Sequence, residues 1–191
     1  MEWLDGKTRC KWANPKNELY IRYHDEEWGV PEHDDAKLFE MLILECFQAG
    51  LSWECVLNKR EAFREAFDGF DLDKVCGYDE EKIRELISNP KIIRNRLKVQ
   101  AAVTNARIFR EIRRQYGSFS NYLWAWTGGS VIYETGQTSS ALSDKISADL
   151  KKRGMKFVGT TVIYAYLQAV GVIYSHDDGC FLRKNTAAGK I

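Results

Sequence analysis

One apolar stretch, residues 38–53 with the sequence LFEMLILECFQAGLSW, constrains this chain more than any other. Its apolar spacing predicts a helix of about three turns that stops at Gly50. A helix that is apolar on nearly all sides is normally buried. At about 100° per residue, Glu45 lies in the middle of an apolar stripe on that helix. Burying an unpaired carboxylate is costly or forces its protonation, so Glu45 requires either a partner or a function.

Two interpretations of Glu45 are open. In the first, it is a structural residue bound to backbone N–H groups or to an arginine. In the second, it faces a pocket for a cationic ligand. Aromatic clusters usually form core, but beside a lone carboxylate they also suit stacking on a flat, positively charged ring. The aromatic residues that flank this helix in the sequence are Trp12, Tyr20, Tyr23, Trp28 and Trp53.

Local signals along the chain predict an all-α fold of about eight helices. Asp34 or Asp35 is expected to cap the apolar helix, Ser52 a helix to about Phe67, and Ser143 a helix over residues 144–153. Residues 127–140 are rich in Gly, Ser and Thr and predict a loop, and no alternating strand pattern exceeds residues 156–158. The other expected helical segments are residues 19–23, 71–77, 80–87, a long helix ending at 116, 118–126 and 161–172.

The basic excess of the chain concentrates in residues 91–114, the region of the long helix, where eight basic residues are accompanied by one acidic residue, Glu111. Residues 1–88 hold 12 Lys/Arg and 21 Asp/Glu, a balance of −9, whereas residues 89–191 hold 16 and 6, a balance of +10. Such a surface suits a polyanionic partner, although a solvated helix face explains it equally well on charge alone. We expect the basic residues outside and an apolar face inside. The apolar face comprises Leu97, Ala101, Val103, Ile108 and Ile112.

Residues 79–94 together with the long helix predict a helix, a short turn and a second helix. Turn N–H groups and a helix N-terminus can bind a DNA phosphate without reading the base sequence. The alternative is a plain helical hairpin with no ligand. We therefore expect a helix-hairpin-helix-like element as a candidate DNA-binding surface.

Four residues at the two ends of the chain offer metal ligands: Cys10, His24, His176 and Cys180. Two thiolates and two imidazoles would form a closed tetrahedral Zn²⁺ site, which is the structural type. Such a site would join the N-terminal aromatic segment to the C-terminal segment. The spacing is not specific, and free thiols with surface histidines are the alternative.

The length of 191 residues suits one domain or two small intimate lobes, here residues 10–183 between flexible tails at 1–9 and 184–191. No N-terminal signal pattern and no apolar run of about 20 residues is present, so we expect a cytoplasmic protein without a membrane partner. Without a P-loop or GxGxxG motif we expect no nucleotide cofactor, and we expect a monomer. The chain also shows no Ser-His-Asp or Cys-His catalytic arrangement.

Four blocks of the sequence resemble bacterial 3-methyladenine DNA glycosylase I: YHDEEWG at 23–29, the stretch at 38–53, KKRGMKFVGTT at 151–161 and HDDGC at 176–180. The resemblance covers roughly residues 10–182. It implies a divergent member of the all-α helix-hairpin-helix superfamily of DNA glycosylases. It also implies double-stranded alkylated DNA as the partner, a flipped 3-methyladenine as the target and hydrolysis of its N-glycosidic bond.

The resemblance also implies roles for single residues. Glu45 matches the family's pocket carboxylate, which hydrogen-bonds the base. Tyr23 and Trp53 match the aromatic residues that stack on the base, with Trp12, Tyr20 and Trp28 as the pocket wall. The four ligands of the family's structural zinc match Cys10, His24, His176 and Cys180.

Two features of this chain depart from the superfamily pattern. The usual hydrophobic-Gly-hydrophobic-Gly turn is replaced by the residues NPKII at 89–93. In addition, no Asp occurs between Lys91 and Ser143, where many superfamily relatives have a catalytic Asp. Two rival functions stay open on the residues alone: a zinc-joined DNA-binding module without activity, and a binding module for a free purine.

Overall fold

The computed structural model describes residues 5–184, which are almost wholly helical, as predicted. Within that range there are ten α-helices and one 3-10 turn at Asp68–Phe70. The helices are α1 Glu18–Glu26, α2 Asp35–Gln48, α3 Trp53–Leu57, α4 Arg60–Ala66, α5 Leu72–Cys76, α6 Glu80–Ser88, α7 Arg96–Tyr116, α8 Phe119–Ala125, α9 Ala141–Lys152 and α10 Thr160–Ala169.

Helix α2 lies at the centre of the fold and packs against α3, α7, α8 and α10. Every residue from 38 to 47 is buried, which confirms the prediction from its apolar sequence. The Asp34 carboxylate begins the helix by accepting a hydrogen bond from the Lys37 amide at 3.0 Å. The chain leaves the helix through Gly50, whose φ of +78° is a left-handed conformation that favours glycine.

Two helix boundaries differ from the prediction. The single helix expected after Ser52 is broken at Asn58 and Lys59 into α3 and α4, although Ser52 does cap α3 by accepting from the Cys55 amide. Helix α9 is capped by Ser140 rather than Ser143. Ser143 is the other half of a capping box, since its hydroxyl accepts from the Ser140 amide at 2.9 Å. Both hydroxyls suit a cap, and the sequence spacing does not distinguish them.

The first turn of α7 reverses the predicted sidedness of two adjacent residues. Leu97 was expected inside but is 68% exposed, whereas Lys98 was expected outside and is 7% exposed. The other four apolar residues expected inside α7 are buried. Leu97 lies on the solvent side of the first turn, while the Lys98 side chain reaches across to the end of α2. The long apolar stem of a lysine makes such burial possible.

The predicted loop at residues 127–140 contains a short strand, β1 Ile132–Tyr133. It pairs in parallel with β2 Ile173–Tyr174, in the register Ile132 to Ile173 and Tyr133 to Tyr174. This pairing holds the loop against the segment that follows α10. Residues 156–158 do not form a strand.

The tails differ in what the structure shows of them. Within the expected flexible segment 1–9, Arg9 is buried and its guanidinium binds the carboxylates of Asp5 and Asp25. Of the flexible tail expected at 184–191, only residue 184 belongs to the described part of the chain. None of the helices in residues 5–184 has the length and apolar character needed to cross a membrane.

The loop between α1 and α2 is fixed on the end of α10. Gly171 has a φ of +71°, and a Cβ atom there would lie 2.3 Å from the backbone carbon of Val30. The Glu32 amide donates to the carbonyl of Val170, and the Gly29 amide donates to that of Gln168. Because no side chain fits at Gly171, the two segments can approach this closely. The contact places the end of α1 beside α10, where the site described next is formed.

Candidate functional site

A cavity of about 360 Å³ lies where α1, α2, α3 and α10 meet. Glu45 lines it together with all five aromatic residues that the sequence singled out. Tyr20 and Tyr23 are three residues apart on α1 and therefore share a helix face. The structure thus brings together every residue predicted to form a base pocket. The aromatic lining residues are Trp12, Tyr20, Tyr23, Trp28 and Trp53.

The aromatic rings of the cavity contact one another at tilted angles. The ring centroids of Tyr23 and Trp53 are 5.2 Å apart with an interplanar angle of 42°. Those of Trp12 and Trp28 are 4.9 Å apart in an edge-to-face arrangement. A planar base sandwiched between two rings needs a separation of roughly 7 Å. Tyr23 and Trp53 therefore leave no room for a flat ring between them, and a ligand in the cavity would meet both rings from the cavity side.

Glu45 is 3% exposed, and it forms no ion pair with any described residue. Its Oε2 atom is buried without a hydrogen-bond partner within residues 5–184. Burial raises the pKa of this carboxyl to about 8, so the neutral form predominates at neutral pH. The structure therefore does not supply the arginine or N–H partners of a purely structural Glu. The indole Nε1 of Trp53 is a second buried polar atom of the cavity without a partner in that range.

Several residues of the cavity were not found from the sequence. Gln48 lies one helical turn after Glu45, so the periodicity of α2 could have revealed it. The others come from the loop after β1, from α10 and from the segment after β2, and no local pattern marks them. Asp177 already accepts a hydrogen bond from the Lys11 amide at 2.8 Å. The additional lining residues are Gln48, Gly136, Gln137, Ala165, Gln168, Ser175 and Asp177.

The four predicted metal ligands, Cys10, His24, His176 and Cys180, form one buried cluster behind the aromatic wall. One ligand atom from each lies within 4.8 Å of all the others. The Cys180 sulfur lies 3.5 Å from His24 Nε2 and 3.5 Å from His176 Nδ1, and the Cys10 sulfur lies 3.4 Å from His176 Nδ1. Tetrahedral zinc with bonds of about 2.0–2.3 Å requires similar spacings between its ligand atoms. The donor set and its geometry therefore fit a zinc ion.

A second layer of contacts orients these ligands. His24 Nδ1 lies 2.8 Å from Asp25, whose carboxylate binds the Arg9 guanidinium. Burial lowers the pKa of His176 to about 4 and also lowers that of His24, so both imidazoles are neutral, which is the form that binds metal. A carboxylate behind a ligating histidine fixes its tautomer and orientation.

The cluster and the cavity share elements. Tyr23 lines the cavity, and the next residue of α1, His24, belongs to the cluster. The ring of Trp28 packs edge-to-face on His176 at 4.7 Å between centroids, and Trp12 lies 5.2 Å from His24. The prediction that the terminal Cys and His residues hold the aromatic segment in place agrees with this packing.

The predicted helix, turn and helix are present as α6, residues 89–95 and α7. At the turn, Lys91 and Arg94 are exposed, and their side chains form no ion pair with the described residues. The basic residues farther along α7 are partly engaged by the protein. These contacts join Arg107 to the Cys76 carbonyl, Arg110 to Asp73 and Arg113 to Asp35. On this surface of the described chain, exposed basic side chains without an ion pair or hydrogen bond therefore lie at the turn and at Arg114 near the end of α7.

A sequence model of the methyladenine glycosylase family matches residues 12–184. The DNA-3-methyladenine glycosylase 1 of Escherichia coli is 45% identical over 179 residues, which cover 90% of this chain and 95% of that protein. The DNA-3-methyladenine glycosylase of Haemophilus influenzae is 39% identical, with 91% and 96% covered.

Solved structures agree with the fold as well. A crystal structure of a 3-methyladenine DNA glycosylase I superposes with a TM-score of 0.89 at 43% identity, covering 93% of this chain and all of that one. The 3-methyladenine DNA glycosylase I of Staphylococcus aureus, studied for its recognition of 3-methyladenine, superposes with a TM-score of 0.87 at 34% identity, covering 93% and 98%. Together, the extent and identity of these matches show that this chain belongs to the methyladenine glycosylase family.

Proposed function

We propose that this chain is a base-excision-repair glycosylase that hydrolyses the N-glycosidic bond of 3-methyladenine in alkylated double-stranded DNA. One observation carries the proposal: a cavity with five aromatic side chains contains a buried carboxyl whose Oε2 atom has no hydrogen-bond partner among residues 5–184. A flat base with hydrogen-bonding edges satisfies both features, since its faces contact the rings and its amine meets the carboxyl. The relatives named above carry the same activity in their names.

Methylation at N3 makes the adenine ring cationic and weakens its bond to the sugar. The damaged nucleotide is flipped out of the duplex and enters the cavity. The base contacts the faces of Tyr23 and Trp53, and Glu45 Oε2 accepts a hydrogen bond from the exocyclic amine. Selectivity follows because a cation gains from the aromatic faces and from the carboxyl, whereas a neutral adenine gains less.

The protonation state of Glu45 changes as the cation binds. In the free protein, burial holds the pKa of Glu45 at about 8. The positive charge of the methylated base favours the ionised carboxylate and acts in the opposite direction. When the cationic base binds at neutral pH, Glu45 therefore releases its proton in the fraction of complexes in which the carboxylate is ionised.

In the chemical step, water attacks the anomeric carbon of the deoxyribose as the C–N bond breaks. The electron pair of that bond stays on the departing base, which leaves as neutral 3-methyladenine. The proton of the attacking water passes to solvent, and the DNA retains an abasic site. Because the leaving base is already cationic, the reaction needs less catalytic assistance than excision of a normal base does.

We propose that the cluster of Cys10, His24, His176 and Cys180 holds one structural zinc ion per chain. All four positions are taken by protein atoms, which is typical of a structural site and leaves no position for substrate. When bound, the metal supplies folding free energy and no chemistry. Its role is to hold Tyr23, Trp12 and Trp28 in the cavity wall.

The DNA backbone is expected to lie along the exposed basic residues. These include Lys91 and Arg94 at the turn before α7, and Lys151, Lys152 and Lys156 near α10. Contacts of this kind are independent of base sequence and weaken steeply with salt. A cytoplasmic location, a monomeric state, the absence of a nucleotide cofactor and the extent of the domain over residues 10–183 stay predictions.

The test of this function is the release of free 3-methyladenine from methylated duplex DNA, with untreated DNA as the control. We expect release from the methylated DNA alone. A DNA-binding module without activity would bind both duplexes and release nothing. A module for free purines would bind 3-methyladenine without binding the duplex. Either result would contradict the proposed function.

A further inference from the structure

Lys98 is a buried lysine at the first turn of α7, and it has no carboxylate partner among the described residues. Its Nζ donates hydrogen bonds to the carbonyls of Phe47 and Ala49, at 2.8 and 2.5 Å. The ring of Phe157 lies 5.9 Å from the ammonium. Burial lowers the pKa of Lys98, as expected for an ammonium removed from water. Burying an ammonium group costs free energy, and the hydrogen bonds to the two carbonyls offset part of this cost.

The two carbonyls that Lys98 binds are at the end of α2. The last carbonyls of a helix have no partner inside the helix and carry partial negative charge, so an ammonium satisfies them and interacts well with the helix dipole. Gln48, a lining residue of the cavity, lies between the two bonded residues. Glu45 lies one turn before them, and Trp53 follows after four residues of turn. Lys98 therefore holds the segment that positions three groups of the cavity.

The backbone of Lys98 is fixed from the other side. Its amide donates to the Asn95 side chain, which caps α7. Asn95 is the last residue of the turn between α6 and α7, in which Lys91 and Arg94 are exposed. A separate bond to this turn runs from Lys59 Nζ, at the start of α4, to the carbonyl of Lys91 at 3.2 Å. One side chain thus joins the basic turn to the end of the helix that bears Glu45.

We propose that Lys98 is a positioning residue that fixes the end of α2 to the basic turn. When the turn binds the DNA backbone, this link keeps the cavity at a fixed distance and orientation for the flipped base. The inference rests on the proposed glycosylase function for its kinetic readout. Lys98 is not expected to touch DNA, because its ammonium is buried and bound to two carbonyls. Its effect is on the placement of Gln48 and Trp53.

The kinetic test compares the wild type with Lys98→Met, which keeps most of the side-chain volume and removes the charge. We expect the single-turnover rate of 3-methyladenine release to fall roughly 10- to 100-fold, since small displacements of a site cost about this much. Duplex affinity and its salt dependence are expected to stay unchanged. The matched control is Lys145→Met, which alters an exposed lysine of α9 and should change neither quantity.

Two kinetic outcomes would overturn the proposal. One is an unchanged rate of release with weaker duplex binding and a shallower salt dependence, which would identify Lys98 as a phosphate contact. The other is no change in either quantity. If Lys98→Met does not fold, Lys98→Gln serves instead, because its shorter amide can still donate one hydrogen bond. The release rate of Lys98→Gln is then expected to be lower than that of the wild type, but by less than the fall expected for Lys98→Met.

A spectroscopic test separates positioning from plain stabilisation. The chain is labelled with 5-fluorotryptophan, and the ¹⁹F resonance of Trp53 is assigned from Trp53→Phe. We expect Lys98→Met to shift or broaden the Trp53 resonance. The Trp124 resonance is the reference and should not change, because the Trp124 indole donates to the carbonyl of Glu32, which precedes the start of α2. A lower melting temperature with an unchanged Trp53 resonance would overturn the proposal. If the wild type releases no base, the glycosylase function fails, whereas the Trp53 resonance still tests Lys98.

Discussion

Two buried polar sites meet at α1, and they differ in how their polar atoms are satisfied. In the Cys and His cluster, the ligand atoms contact one another, and Asp25 and Arg9 support His24 from behind. In the cavity, Glu45 Oε2 and Trp53 Nε1 have no partner within the described chain. Consecutive residues of α1 serve the two sites, since Tyr23 faces the cavity and His24 the cluster.

The difference indicates which site acts on a ligand from outside. A cluster whose donors point at one centre is complete once a metal is bound, and it has no position for substrate. Buried polar atoms without partners reduce the stability of the free protein, and a ligand that pairs with them recovers that free energy. We therefore infer that the cavity is the functional site and that the cluster supports its wall. Four predictions test this difference between the two sites.

The largest effect is expected from opening the cluster. Cys180→Ser should lose the metal and lower the free energy of unfolding by more than about 4 kcal/mol, as loss of a structural metal does. Zinc content by elemental analysis and urea unfolding measure the two quantities. Cys55→Ser, a half-buried thiol outside the cluster, is the control and should keep both. Wild-type protein with less than about half a zinc per chain would contradict the four-ligand site.

The next effect concerns the unpartnered carboxyl. The folded pKa of Glu45, about 8, lies above its ordinary value of 4.5, so the folded protein holds a proton that the unfolded chain releases. Stability from this group is full below about pH 4.5 and is lost as pH rises towards 8. Between about pH 5 and pH 7, the wild type should lose roughly 2 to 3 kcal/mol relative to Glu45→Gln. Parallel pH curves for both proteins would show that Glu45 has a normal pKa.

A smaller effect is expected from removing one ring of the cavity. Trp53→Ala should weaken binding of free 3-methyladenine by about 1 to 3 kcal/mol, the usual contribution of one base stacked on an aromatic side chain. Calorimetry measures the affinity, and zinc content should stay at the wild-type value. Trp126→Ala alters a partly exposed tryptophan outside the cavity and is the matched control. Equal losses in the two variants would argue against direct contact between Trp53 and the base.

The smallest effect is expected at the basic turn. Lys91→Ala and Arg94→Ala should each reduce the slope of log affinity for duplex DNA against log salt by about 1. Arg107→Ala should change that slope less, because its guanidinium is bound to the Cys76 carbonyl. A larger change for Arg107 than for the turn residues would move the DNA surface along α7.

Features that depend on neighbours in the chain were predictable from the sequence. Asp34 and Ser52 cap helices as expected, because a capping side chain binds amides two or three residues ahead. The burial of α2 follows from its composition. The chemistry of the four metal ligands was visible as well, although their convergence was implied only by the family resemblance.

Features that depend on distant segments were not predictable. Helical periodicity predicts the buried face along most of α7, but in its first turn Leu97 is exposed and Lys98 is buried. The partners of Lys98 are carbonyls about 50 residues away, for which a local pattern carries no signal. The same holds for Gln137, Gln168 and Asp177, which reach the cavity through the strand pair and α10.

The most direct test of the role of Glu45 is excision by Glu45→Gln, which keeps the size of the side chain but removes its ability to ionise. We expect release of 3-methyladenine from methylated duplex DNA to fall at least about 100-fold, the scale of a lost proton-handling group. Duplex affinity and zinc content should equal those of the wild type. Release at the wild-type rate would contradict the central claim that the unpartnered carboxyl of the cavity acts on the base.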